Sequence, residues 1–143
     1  PAPKLYVTIL HPQIEVKTSD ARGILKKQVL LKDAIIQWGN IAGLIAGLMK
    51  KDYDLIGRSL EDVIVEPVRS ILIPYFDEVK KKSIEAGALG GGISGSGPSI
   101  FFLSKDEKTA KAVEKAIVGV YKNIGIQYHT HITTISDQGV KVV

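Results

Sequence analysis

The sequence predicts an α+β fold: a ferredoxin-like split βαβ sandwich of about four mainly antiparallel strands, with helices packed on one face. Three observations carry this prediction. Short runs with strand character occur at Leu5–Leu10, after Ala88, at Ser99–Leu103 and at Ile126–Ile135. The stretches between them place apolar residues three and four apart, the period of a helix with one buried face. The resulting order is strand, helices, strand, strand, helix, strand, which packs most simply as helices against an antiparallel sheet.

Leu5-Tyr6-Val7-Thr8-Ile9-Leu10 reads as the first strand, which His11-Pro12 breaks. Thr18-Ser19-Asp20 offers caps for a short helix through Ala21 to Gln28. Leu31, Ala34, Ile35, Trp38, Ile41, Ala42, Ile45, Leu48 and Met49 then predict a long amphipathic helix with one buried stripe. In it, Gly39, Gly43 and Gly47 would let a neighbouring backbone come close. Helix continues from Tyr53 to Val63, until Pro67 disfavours it at Glu66. Pro74 suits a first helical turn, Asp77/Lys81 and Glu78/Lys82 pair on a solvated face, and Gly87 ends that helix after Ala86. Beyond it come a glycine-rich strand, a tight Gly95-Ser96-Gly97-Pro98 turn and the strand Ser99–Leu103. Ser104 and Glu107 form a capping-box pattern for a helix whose Ala110, Val113, Ile117, Val120 and Ile124 face one way and whose stop is Gly125. Ile126–Ile135 alternates as a strand, and Gly139 separates it from Val140-Lys141-Val142-Val143.

At 143 residues the chain is one domain, 1–143, large enough to fold without a disulfide or metal staple. It has no Cys, which removes thiol catalysis and zinc ribbons and fits a reducing, cytoplasmic setting. The net charge of +4 comes largely from Lys in scattered small groups; no aromatics interleave with Lys80-Lys81-Lys82, so no nucleic-acid partner is expected. The longest uncharged run, Ala34–Met49, includes Gln37 and Asn40 and falls short of the about 20 apolar residues a membrane span needs, so no membrane partner is expected either. The N-terminal residues read as a strand and not as a signal peptide. His129 and His131 share a strand face without an evident third ligand, which favours a solvated face over a metal site.

Six of the fourteen glycines fall between Gly87 and Gly97. The run is no Walker loop, since no Lys-Ser or Lys-Thr follows at the needed spacing, and no dinucleotide fingerprint, since a strand follows it instead of a helix. Successive glycines can instead take positive φ and turn several N–H groups into one concavity that holds phosphate or carboxylate, with the hydroxyls of Ser94, Ser96 and Ser99 as further donors. The plainer alternative is a hairpin where two elements simply approach closely.

The segment Gly92-Ile93-Ser94-Gly95-Ser96-Gly97-Pro98-Ser99 resembles the third conserved motif of the GHMP kinases. Upstream, Ile64-Val65-Glu66-Pro67-Val68-Arg69, Leu72-Ile73-Pro74-Tyr75-Phe76 and the stretch from Ala21-Arg22 to Asn40 resemble the homoserine kinases within that superfamily. The resemblance implies the C-terminal domain of a two-domain, ATP- and Mg²⁺-dependent kinase that phosphorylates the hydroxyl of L-homoserine, a step of threonine biosynthesis. It also implies that a phosphate loop, the Mg²⁺ ligands and any proton acceptor belong to an N-terminal half, so that the fragment is inactive alone and contains no catalytic residue. Arg22 and Arg69 fall where the family grips the substrate carboxylate, a task suited to the guanidinium fork. Gly95 would join them, and Gly92, Ser94, Ser96, Gly97 and Ser99 would form a loop near substrate and phosphoryl group. Two alternatives stay open: another GHMP small-molecule kinase, or a non-catalytic amino-acid-binding regulatory domain. The apolar stripe and the short last strand also leave room for a homodimer.

Overall fold

A computed structural model describes residues 3–136, 138 and 139 of the chain. The expected strand Val140–Val143 lies outside the described residues. Four strands, β1 (Tyr6–Pro12), β2 (Gly90–Ile93), β3 (Ile100–Ser104) and β4 (Tyr128–Thr134), form one sheet in the order β2-β3-β1-β4 with every neighbouring pair antiparallel. This is the strand order of the ferredoxin-like sandwich. β1 runs through Pro12, past the break expected at His11-Pro12. Pairing with β3 stops at Leu10, so the position of the missing proline N–H faces no strand and costs no ladder bond.

Alternation along the strands divides two cores. Leu10, Ile100 and Phe102 pack under α5 (Phe76–Glu85) and α6 (Glu107–Tyr121) with Val79, Val113, Ile117 and Tyr121. The buried Thr8 hydroxyl donates to the Ala110 carbonyl, tying β1 to α6 on the same side. Leu5, Val7, Phe101 and Leu103 point the other way, against Leu44 and Leu48 of α2 (Leu31–Lys50) and Ile56 of α3 (Tyr53–Ser59). The sequence anticipates helices on one face only. The α2–α3 hairpin covers part of the second face, because β1 and β3 are apolar on both sides.

Several boundaries differ from expectation for identifiable reasons. α1 spans Thr18–Gly23, so Thr18, Ser19 and Asp20 lie inside the helix and no side chain caps it. α3 stops at Ser59, well before Val63. Asp62 accepts hydrogen bonds from the amides of Ile64 and Val65, while Gln37 and Asn40 of α2 bond the backbone of Val63 and Glu61, and these bonds hold a turn where helix was expected. Pro67 does not end a helix but sits in the first turn of a new one, α4 (Glu66–Arg69), where its lack of an N–H is tolerated. α5 begins after Pro74, with Tyr75 at φ 59° as its N-cap. On α5, Lys82 pairs with Glu85 rather than with Glu78. α6 is capped by Asp106, which accepts from the Thr109 amide at 2.7 Å, and not by Ser104, which is buried in β3.

The predicted stripe of α2 divides in the structure. Gly43 and Gly47 lie against α3, where a Cβ would stand 2.4 Å from Ser59 Oγ and 2.9 Å from the Ile56 nitrogen. Gly39 faces open space, and so do Ile35, Trp38, Ile41, Ile45 and Met49.

Candidate functional site

The glycine run builds an edge strand and the turn that follows it. At Gly92 a Cβ would stand 2.6 Å from Glu66 Oε2, so the absent side chain is what lets α4 press its acid against β2. Past Ile93 the chain turns through Gly95 (φ 63°) and Gly97 (φ 80°), a left-handed region open to glycine, and returns to β3. The turn closes on itself: the Ser94 amide donates to Ser99 O at 2.8 Å and the Gly97 amide to Ser94 O at 3.0 Å. Two of the N–H groups expected to face a ligand are therefore spent internally. Among the described residues the amides of Gly95 and Ser96 donate to no protein acceptor. Ser99 Oγ lies 2.7 Å from His11 Nδ1, which links the turn to β1.

Arg69, at the end of α4, joins this turn to a distant segment. Its Nε donates to the Ala21 carbonyl at 3.0 Å and one terminal nitrogen donates to the Gly95 carbonyl at 2.9 Å. Arg22, the residue after Ala21, is exposed, and its side chain has no ion-pair or hydrogen-bond partner among the described residues. The structure thus brings Arg69, Gly95 and the backbone beside Arg22 together, across 26 and 48 positions of sequence. Neither arginine takes the acidic neighbour that a purely local role would use: Glu66 pairs with Lys80, and the Asp20 carboxylate accepts from the Ser19 hydroxyl.

Glu66 and Lys80 are functional candidates that the sequence reading missed. Glu66 lines a cavity of about 240 Å³ together with Gln37, Asn40, Asp62, Gly92 and Gly95. Burial raises its carboxyl above the ordinary value of 4.5, against the opposing pull of Lys80, with Asp62 and Asp77 adding to the rise. Only the Glu-Pro step at a helix start hinted at this position. The partner lies fourteen residues away on another helix, beyond the reach of local spacing.

His129 and His131 stand on the exposed face of edge strand β4, and among the described residues no three His, Asp or Glu are grouped to hold a metal ion. No helix among the described residues is long and apolar enough to cross a membrane.

Residues 44–123 match the profile of a family described as GHMP kinases C terminal, more than half of the chain. The chain belongs to the GHMP kinase C-terminal family. Curated members similar to it include a homoserine kinase of Chloroherpeton thalassium, 46% identical over 99% of this chain and 44% of that protein. A homoserine kinase of Pyrococcus abyssi is 38% identical over 91% of this chain and 43% of its own length. This GHMP domain therefore spans less than half the length of the curated relatives it matches. Among solved structures, the homoserine kinase of Cytophaga hutchinsonii superposes with a TM-score of 0.93 at 52% identity, covering all of this chain and 45% of that one. A phosphomevalonate kinase of Streptococcus pneumoniae, at TM-score 0.71 and 15% identity over 94% of this chain and 41% of its own, shares the fold.

Proposed function

We propose that this chain is the substrate-binding C-terminal half of a homoserine kinase. The whole enzyme transfers the γ-phosphoryl group of ATP to the hydroxyl of L-homoserine, giving O-phosphohomoserine for threonine biosynthesis, in the cytoplasm. The single observation that carries the reading is the pair of bonds from Arg69 to Ala21 and Gly95, which ties Arg69 to the glycine turn and to the backbone beside Arg22. The similarity to homoserine kinases over the full chain supports it.

In this reading Arg22, with its fork unengaged, grips the substrate carboxylate, and Arg69 holds the turn while offering its remaining N–H groups. Gly95 and Ser96 supply free amides to the substrate or the moving phosphoryl, with Gly92, Ser94, Gly97 and Ser99 shaping the loop. Phosphoryl transfer depends mainly on positioning and charge stabilisation, so preset amides contribute without a base in this half. Glu66 is already paired with Lys80, and among the described residues no three His, Asp or Glu are grouped to hold a metal ion. In this reading Mg²⁺ and most of the ATP contacts belong to the other half.

The test is ADP release by the full-length protein with a panel of acceptors. Turnover with L-homoserine is expected; turnover with mevalonate or a sugar but not L-homoserine would replace it with another GHMP small-molecule kinase. Binding of an amino acid without any turnover would replace it with the regulatory-domain reading.

A further inference from the structure

Glu66 and Arg69 are the first and last residues of α4, three positions apart. Residues at that spacing are neighbours on a helix, and an acid followed there by a base ordinarily pairs with it. The structure keeps these two apart. Glu66 gives one oxygen to the Lys80 ammonium and lays the other against Gly92, while Arg69 turns to the carbonyls of Ala21 and Gly95. Lys80 can hold the acid because its own helix is fixed, with Phe76, Val79 and Ser83 of α5 buried. The other charged groups acting on Glu66 are Asp62 and Asp77, both acids, and neither could take the place of Lys80. We propose that Lys80 is a positioning residue of the substrate site: by occupying Glu66 it keeps that carboxylate from drawing the Arg69 guanidinium off Gly95 and away from the acceptor.

A carboxylate screened from water is costly to leave without a partner. The Glu66 side chain is 12% exposed, and with Lys80 gone the nearest cation along the chain is Arg69, one helical turn away. A guanidinium binds a carboxylate more strongly than a neutral carbonyl, since the bond is then charged on both sides. Capture by Glu66 would therefore release the Gly95 carbonyl, which belongs to the glycine turn, and the Ala21 carbonyl, which lies beside Arg22. A shielded ion pair adds little net stability over apolar residues of the same shape, so stability alone does not account for Lys80 and Glu66. Keeping the fork of Arg69 free does. Lys80 thus acts through Glu66 and Arg69, not on the acceptor itself.

The proposal rests on the reading that Arg69 belongs to the acceptor site, and the two can fail separately. In the full-length protein, Lys80→Met should raise KM for L-homoserine on the order of tenfold while KM for ATP stays within about twofold. The Lys80 side chain is 26% exposed, so folding should survive, checked by circular dichroism. Lys80→Arg, which keeps the charge, should recover most of the loss. So should the double variant Lys80→Met with Glu66→Gln, because no carboxylate is left to take Arg69. An ion pair that merely braced α4 would leave the double variant no better than Lys80→Met. The crystal structure of Lys80→Met gives a readout that needs no substrate, with Glu66 expected on the Arg69 guanidinium and the Gly95 carbonyl released. Arg69 still bonded to Gly95 in that structure, an unchanged KM for L-homoserine in Lys80→Met, or a double variant without recovery would overturn the proposal. Absence of turnover with L-homoserine in the wild type would instead overturn the substrate reading, and the crystal structure would then decide whether Lys80 holds Glu66 off Arg69.

Discussion

Glu66 and Arg69 stand three residues apart on α4 and turn to different partners, Glu66 to Lys80 and Gly92, Arg69 to Ala21 and Gly95. Arg69 was singled out in the sequence only through the resemblance, and its bonds to Ala21 and Gly95, 48 and 26 positions away, were beyond any local spacing. Beyond its Glu-Pro step Glu66 was not legible, because its burial arises from the absent side chain of Gly92 and its partner lies fourteen positions on, on another helix. Its raised pKa fixes a sign. The folded state holds the proton more tightly than the unfolded one, so Glu66 contributes stability that is fully present below about pH 4.5 and is lost as pH rises through its folded-state value. Denaturant unfolding of the wild type and Glu66→Gln across that range should show wild type losing ground to the variant as pH increases. A carboxyl resonance for Glu66 titrating at or below 4.5 would contradict this.

At the scale of elements, periodicity identified helices well and their surroundings poorly. Ala110, Val113 and Ile117 of α6 are buried as the stripe demands. The equally regular stripe of α2 is largely open, because a period shows which residues share a face but not whether this chain supplies the neighbour. The end of α3 depended on Asp62, Gln37 and Asn40 bonding backbone groups, which apolar patterning does not register. The joint between α5 and α6 gives an element-level prediction. Tyr121 is buried, its hydroxyl donates to the Pro74 carbonyl at 2.7 Å, and burial pushes its pKa up to about 12. Tyr121→Phe removes the donor and leaves that carbonyl short of a partner, so unfolding measurements should register a loss of about 1–2 kcal/mol at neutral pH. The raised phenol pKa also means that the wild type loses this contribution as pH climbs from about 10 through about 12, a loss the variant should lack.

At the scale of the molecule, the four strands and their sandwich arrangement were legible because β1 and β3 are short apolar runs, β4 alternates and β2 announces itself by glycine. Strand order, the second core and the place where α1, α4 and the glycine turn meet were not, since each depends on contacts between residues far apart in sequence. The domain ties Arg69 to the glycine turn and to the backbone beside Arg22, has no grouped metal ligands among its described residues, and spans less than half the length of the relatives it matches. The proposed reading makes it one half of a kinase, with the remaining contacts on the other half. Steady-state kinetics of the full-length protein, comparing wild type with Arg22→Ala over a range of L-homoserine concentrations, tests that account most directly. Loss of a charge-assisted fork should raise KM for L-homoserine on the order of 10–100-fold while KM for ATP stays within about twofold. An unchanged KM for L-homoserine, or an equal rise in both constants, would contradict it.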